Sequence, residues 1–168
     1  MTKPPLLYLF AAVCFAIALP PAAYAQDQAT MYYANAYADH YGVPQALVDA
    51  IIEQESDWNP LARSVKDAGG LMQLMPGTAA MYGVRNRYEI LENLSGGVRY
   101  LADLLGEFHG DMRLAVAAYY CGSQHILQRG LSYGNRDVVA YVQSVRRRYQ
   151  RNLLTQTGQQ ASGPEVEN

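Results

Sequence analysis

Apolar positions recur at helical spacing through most of the chain, and no segment alternates apolar and polar residues as a half-buried strand would. Met31 to Tyr41 carries Ala34, Tyr37, Ala38 and Tyr41 on one side, which predicts a helix closed by Gly42. Pro44 suits the first turn of a second helix, running to Ser56, whose stripe is Leu47, Val48, Ile51 and Ile52; Asn59-Pro60 forbids its continuation. Arg63 to Gln73 is rich in Gly, Asp and Ser and reads as a loop with room for a short hairpin, before a brief helix at Pro76 to Tyr82 that Gly83 ends. Leu94 to Phe108 gathers Val98, Leu101, Leu104, Leu105 and Phe108 on one face, and Gly96-Gly97 predicts close helix contact. Leu114 to Tyr119 is apolar all round, as a helix in the middle of a small domain is. Ile126-Leu127 predicts a short helix after Gly122, and Asp137 to Tyr149 repeats Val138, Val139, Val142, Val145 and Tyr149, with Asp137 as its N-cap. The expected fold class is mainly α: a single helical domain with at most a small β-hairpin.

The two ends of the chain are different material. Lys3, the apolar run Leu6 to Leu19, Pro20-Pro21 and Ala23-Tyr24-Ala25 together read as a secretory signal peptide over residues 1–25. The run is short for a membrane span and no charged stop sequence follows it, so no anchor is expected after cleavage. Cys14 lies inside the run, away from the cleavage point where a lipidated cysteine would stand. Residues 26–30 form a short polar lead, residues 31–154 the domain, and residues 155–168 a Gln-, Gly- and Ser-rich tail without apolar periodicity, expected to be disordered.

Composition narrows the options. A chain of 168 residues, 50% of them hydrophobic, can bury one ordinary core. The formal net charge of −2 provides no broad basic field, so neither a nucleic-acid partner nor charge-driven membrane binding is expected. Once residues 1–25 are removed only Cys121 remains, which excludes an intramolecular disulfide and leaves a small buried hydrophobe as that residue's expected role. His40, His109 and His125 show no metal-ligand spacing, and neither metal nor cofactor is expected.

One residue breaks the pattern of the second helix. At about 100° per residue Glu55 falls near the middle of the Leu47, Val48, Ile51, Ile52 stripe, while Glu53 projects from roughly the opposite side. Desolvation disfavours a carboxylate, so a partly buried Glu55 should hold its proton near neutral pH and serve as a general acid. The structural alternative is a glutamate at a helix edge that reaches water or pairs with an arginine.

Glu55-Ser56 is followed by Asn59-Pro60, then Gly70-Leu71-Met72-Gln73-Leu74-Met75-Pro76, then Ala117-Ala118-Tyr119-Tyr120-Cys121-Gly122. In this order the motifs resemble the catalytic domain of the soluble-type lytic transglycosylases, relatives of goose-type lysozyme, over about Tyr37 to Tyr149. The resemblance implies a lysozyme-like fold and non-hydrolytic cleavage of the β-1,4 bond between N-acetylmuramic acid and N-acetylglucosamine in peptidoglycan strands, giving 1,6-anhydromuramyl products. It implies that Glu55 is the catalytic acid and then base, and that Ser56, Gln73, Met75, Tyr119 and Tyr141 contact substrate or the acid. Ser56 could equally serve to end its helix, Gln73 to satisfy a loop, and Met75 and the two tyrosines to pack. Gly69-Gly70 is expected to permit a backbone turn and close approach of the glycan. A second catalytic carboxylate is not obvious; Asp67 is the alternative to assistance by the substrate's own acetamido group.

The resemblance further implies work in the periplasm or cell wall, with an envelope-spanning secretion, conjugation or pilus machine as a candidate partner. The chain departs from the family at Tyr120, where the motif has Asn, at Cys121, and at Ser123-Gln124, where Pro-Gly is usual. Val65 and Asp67 depart from a usual Pro and Gly. These departures keep two alternatives open, a muramidase that admits water and a non-catalytic glycan-binding or assembly protein.

Overall fold

A computed structural model describes residues 22–130 and 134–161. Its helices are α1 (Ala22–Tyr41), α2 (Gln45–Glu55), α3 (Pro76–Met81), α4 (Ile90–Glu107), α5 (Met112–Cys121), α6 (Ser123–Arg129) and α7 (Arg136–Ala161). In place of a hairpin there are two isolated bridges, Arg63 with Gly69 and Gly69 with Leu74, and among the described residues no strand forms.

α2 supplies the densest part of the core, with Leu47, Val48, Ile51 and Ile52 sealed against α1 and α7. Leu71 and Met72 from the loop and Leu94, Val98 and Leu101 from α4 complete this cluster. α5 lies between α4, α6 and α7, as its apolar sequence predicts, and centres a second cluster with Leu104, Phe108, Ile126 and Val138. The Gly96-Gly97 pair marks close contact with connecting segments rather than with another helix: a Cβ at Gly96 would strike the Val84 side chain, and one at Gly97 the thioether of Met72.

Several boundaries differ from the sequence reading, among them the start of α4, which lies at Ile90 rather than Leu94 with Glu89 as its N-cap. α1 begins at Ala22, so the end of the expected signal peptide and the polar lead are helical; residues 1–21 lie outside the described residues. α7 continues through residues 155–161, where a disordered tail was expected, and residues 162–168 lie outside the described ones. Its continuation, made of Thr, Gln, Gly and Ala, carries no apolar periodicity and extends as a solvated helix from the packed helix that precedes it. Asp137 is not the cap of α7 but lies in its first turn, and Asn135 Oδ1 accepts from the Asp137 N–H at 2.9 Å.

Candidate active site

α2 ends abruptly at Glu55. Ser56 leaves the helix, and Asp57 and Trp58 both take left-handed backbone (φ of 51° and 64°), an uncommon pair for residues with a Cβ. Trp58 packs on the main core and holds this turn in place. The Ser56 hydroxyl lies 2.7 Å from the Leu71 carbonyl and 3.2 Å from that of Ile52, so it ties the end of α2 to the loop that follows. Ser56 therefore works behind the cleft and does not line it.

The loop itself is anchored by a residue the sequence reading missed. Asn93 on α4 is 1% exposed; its Oδ1 accepts from the Met72 N–H at 2.8 Å, and its Nδ2 donates to the carbonyls of Gly69 (3.0 Å) and Arg87 (2.7 Å). Gly70 has no room for a side chain, since a Cβ there would run into the Arg87 carbonyl and the Asn93 amide. Gly70 thus permits a close approach to the Arg87 backbone and the Asn93 side chain, while Gly69 lies against the Tyr88 ring. A lone Asn within an amphipathic helix gives no sequence signal of this role, because its partners lie on a loop whose path periodicity does not predict.

Gln73 closes the loop in a left-handed conformation (φ 45°), which costs a non-glycine residue about 1 kcal/mol. Its Nε2 donates to Ala62 O and Gly70 O, both at 2.9 Å, which fixes the amide and leaves Oε1 as the group it can offer to a ligand.

Glu55 faces a cavity of about 590 Å³, together with Ser64, Val65, Lys66, Gln73, Met75, Tyr119, Tyr120 and Asp137. An adjoining hollow of about 350 Å³ shares Lys66, Gln73, Met75, Tyr119 and Tyr120 and reaches Thr78 and Tyr100, so the two form one groove. Met75, at 44% exposure, is a groove residue and not core filler. Cys121 is only partly buried and lines the groove, contrary to the buried role expected for it; burial raises its thiol pKa, which disfavours the thiolate.

Burial pushes the Glu55 carboxyl from its ordinary 4.5 up to about 7, against the opposing effect of a hydrogen bond from the Tyr141 hydroxyl to its Oε1. Tyr141 is 7% exposed and stands behind the carboxyl rather than in the groove. Tyr119 donates its hydroxyl to the Met72 carbonyl at 2.8 Å, bracing the loop from α5, and its ring packs against Tyr100. Of the residues predicted from sequence, Gln73, Met75 and Tyr119 thus share the groove with Glu55, while Ser56 and Tyr141 support it from behind. Asp67 joins neither set. It pairs with Arg63 at 2.8 Å and Arg87 at 3.2 Å, and the Arg63 hydrogen bond holds its pKa below the usual carboxylate range.

An open groove with one neutral carboxyl at its floor, flanked by amide and phenol groups, is what proton delivery to an extended polar chain requires. A family model described as the transglycosylase SLT domain matches residues 32–141, more than half of the chain. The chain belongs to this family. Among its relatives are the transglycosylase of Enterobacteria phage PRD1, 39% identical over 89 residues that cover 53% of this chain and 33% of that protein. The soluble lytic murein transglycosylase of Escherichia coli K12 is 34% identical over 133 residues, covering 70% of this chain and 21% of the relative.

Two solved structures carry the same fold. One is an inactive Glu-to-Gln mutant of the lytic transglycosylase Slt from Pseudomonas aeruginosa, with a TM-score of 0.65 and 27% identity over 82% of this chain and 25% of that one. The other is the 70 kDa soluble lytic transglycosylase SLT70 of E. coli, with a TM-score of 0.66 and 27% identity over 76% of this chain and 24% of that one. The expected lysozyme-like helical domain is therefore the observed one. The chain spans a third or less of the length of these relatives. Among the described residues no helix is long and apolar enough to cross a membrane.

Proposed function

We propose that the chain is a peptidoglycan lytic transglycosylase that cleaves the MurNAc-β-1,4-GlcNAc bond without water and leaves a 1,6-anhydromuramyl end. The observation that carries this reading is the Glu55 carboxyl, protonated up to about pH 7 and facing a groove made of cavities of about 590 and 350 Å³. Glu55 donates its proton to the glycosidic oxygen as the C1–O4 bond breaks. The acetamido oxygen of the same muramyl residue stabilises the positive charge at C1, and the Glu55 carboxylate then takes the proton of the C6 hydroxyl as O6 bonds to C1. One carboxyl group serves both steps and ends the cycle protonated.

The Gln73 carbonyl oxygen and Met75 fit sugar contact, and Tyr141 holds the acid in line. That one of the related structures is an inactive Glu-to-Gln mutant supports a glutamate at the centre of the chemistry. Digestion of purified sacculi tests the proposal: the wild type should release anhydro-muropeptides, identified by mass spectrometry, and Glu55→Gln should release them about 10³-fold more slowly. Clearing of sacculi by the mutant at the wild-type rate would remove Glu55 from the mechanism.

Asp137 favours a second reading. Its side chain lines the same groove from α7, one turn before Tyr141, and a second carboxylate could activate water as in a muramidase. Products heavier by one water, lost in Asp137→Asn, would establish hydrolysis. Export to the periplasm through residues 1–25 and recruitment by an envelope-spanning machine belong to the same proposal. The first is checked by fractionation of an epitope-tagged full chain and the second by co-purification with envelope proteins.

A further inference from the structure

Tyr119 and Tyr120 are neighbours at the end of α5 with opposite fates. Tyr119 turns inward, with its hydroxyl on the Met72 carbonyl. Tyr120 stays 47% exposed, lines both halves of the groove, and lays its ring on that of Tyr141 with centroids 4.6 Å apart and planes 28° from parallel. Tyr141 belongs to the main core cluster, which closes off its inner side, so Tyr120 covers the side that would otherwise meet the groove. A ring covered on both sides has one available orientation, and that orientation directs its hydroxyl to Glu55 Oε1. Tyr120 stands where the motif noted above has Asn, a side chain too short to cover an aromatic ring.

We propose that Tyr120 is a positioning residue: its ring, packed on Tyr141, fixes the direction of the Tyr141 hydroxyl and so holds the Glu55 carboxyl on the axis of proton delivery. This deepens the transglycosylase reading and rests on it. The ionisable groups that face Glu55 are Tyr119, Tyr120 and Cys121 from α5, Asp137 and Tyr141 from α7, and Lys66 from the loop. Tyr141 alone of these hydrogen-bonds the carboxyl among the described residues.

The Tyr141 bond stabilises the ionised form, so loosening it should move the Glu55 titration to higher pH. Added hydration would move it the other way. A double-mutant cycle separates the two effects, read by the pH titration of the 13C-labelled Glu55 carboxyl in the intact protein and by kcat and KM on sacculi. Tyr120→Ala should raise the Glu55 midpoint and lower kcat by about tenfold, the scale of a small misplacement of a catalytic group. Tyr120→Phe, which keeps the ring, should keep the wild-type Glu55 midpoint. In a Tyr141→Phe background only the effect of hydration should remain, so Tyr120→Ala should produce no rise there.

A Tyr120→Ala shift of the same sign and size in the wild-type and Tyr141→Phe backgrounds, or no shift in either, would overturn the proposal. A rise in KM alone would likewise reassign Tyr120 as a sugar contact only. The titration needs no turnover, so if Glu55→Gln remains active the transglycosylase mechanism fails while the coupling between the two tyrosines and the carboxyl is still read.

Discussion

The two sides of α2 carry acids with raised pKa values in different settings. On the groove side Glu55 is lifted to about 7 by burial, held by Tyr141 and open to a cavity of about 590 Å³. On the other side Asp49 is lifted to about 6 by burial first and by the charge of Glu53 second, while Glu53 itself pairs with Arg151 and, at 3.8 Å, with Arg148. Asp49 and Glu53 line a separate cavity of about 560 Å³ with Asn35, Trp58 and Asn152. A perturbed carboxyl is therefore not in itself a catalytic one. Glu55 differs by its aim: a hydroxyl holds one of its oxygens, and polar side chains able to grip a substrate converge around it. Among the described residues the buried Oδ1 of Asp49 has no hydrogen-bond partner, a structural cost.

The largest effect that would sharpen this contrast is expected at Glu55. Glu55→Gln should lower sacculus cleavage by about 10³-fold, within the range for removal of a general acid, while the fold persists. A stability consequence follows with a definite sign. A group whose folded pKa is raised, here from 4.5 to about 7, stabilises the fold fully below the lower value and loses that contribution as pH rises to the upper one. The variant cannot ionise, so it should unfold at a higher temperature than wild type above pH 7, by a margin of about 1–3 kcal/mol. The advantage should shrink toward pH 4. Thermal melts across this range check it, and equal melting temperatures at pH 8 would deny the burial that makes Glu55 an acid.

Tyr141→Phe should have the next largest effect, about a tenfold to hundredfold fall in kcat with a small change in KM, because the ring remains and only the hydrogen bond to Glu55 is lost. Losing a donor that favours the carboxylate should also move the alkaline limb of the kcat profile upward. A fall in kcat with an unmoved limb would mean that Tyr141 supports the fold and not the acid.

This contrast was half legible in the sequence. The stripe of α2 placed Glu55 among apolar residues and Glu53 opposite, because helical periodicity is a local property that the chain states directly. The helices were legible for the same reason, apart from the two ends where local composition misled. Asn93, Lys66, Asp137 and the inward turn of Tyr119 beside the exposed Tyr120 were not, since each depends on which loop or helix faces it across the fold. The left-handed backbone at Trp58 and Gln73 escaped as well, since neither is a residue type that announces positive φ. Asp49 gave no warning either, because its burial comes from the packing of α1 and α7 over that side of α2.

Asp49→Asn should act on stability alone. At pH 7 the wild-type protein carries an ionised, mostly buried carboxylate there, so the amide should stabilise the fold by about 1 kcal/mol, allowing for its partial hydration. Since the folded pKa of Asp49 is raised from 3.8 to about 6, the gain should appear as pH climbs through that window and be absent below it. Sacculus cleavage should stay at the wild-type rate. A loss of cleavage would instead make the far side of α2 part of the machinery and erase the distinction drawn between its two acids.

The smallest effect is expected from Glu53→Gln, and it tests how the two sides are insulated. The variant removes the pairs with Arg148 and Arg151, whose side chains are 31% and 62% exposed. Exposed pairs of this kind contribute about 0–1 kcal/mol, so the loss should be slight. It also removes the charge that helps to raise Asp49, so the Asp49 titration should fall toward its ordinary value while remaining above it, because burial is the larger cause. The Glu55 titration should not move, since burial and the Tyr141 hydrogen bond set it and Glu53 is not among its causes. Carboxyl-resolved NMR titration reads both groups in one sample. If the Glu55 midpoint falls together with that of Asp49, the low-dielectric body of α2 transmits charge between its faces, and the acid on the groove side owes part of its proton affinity to the ion pairs behind it.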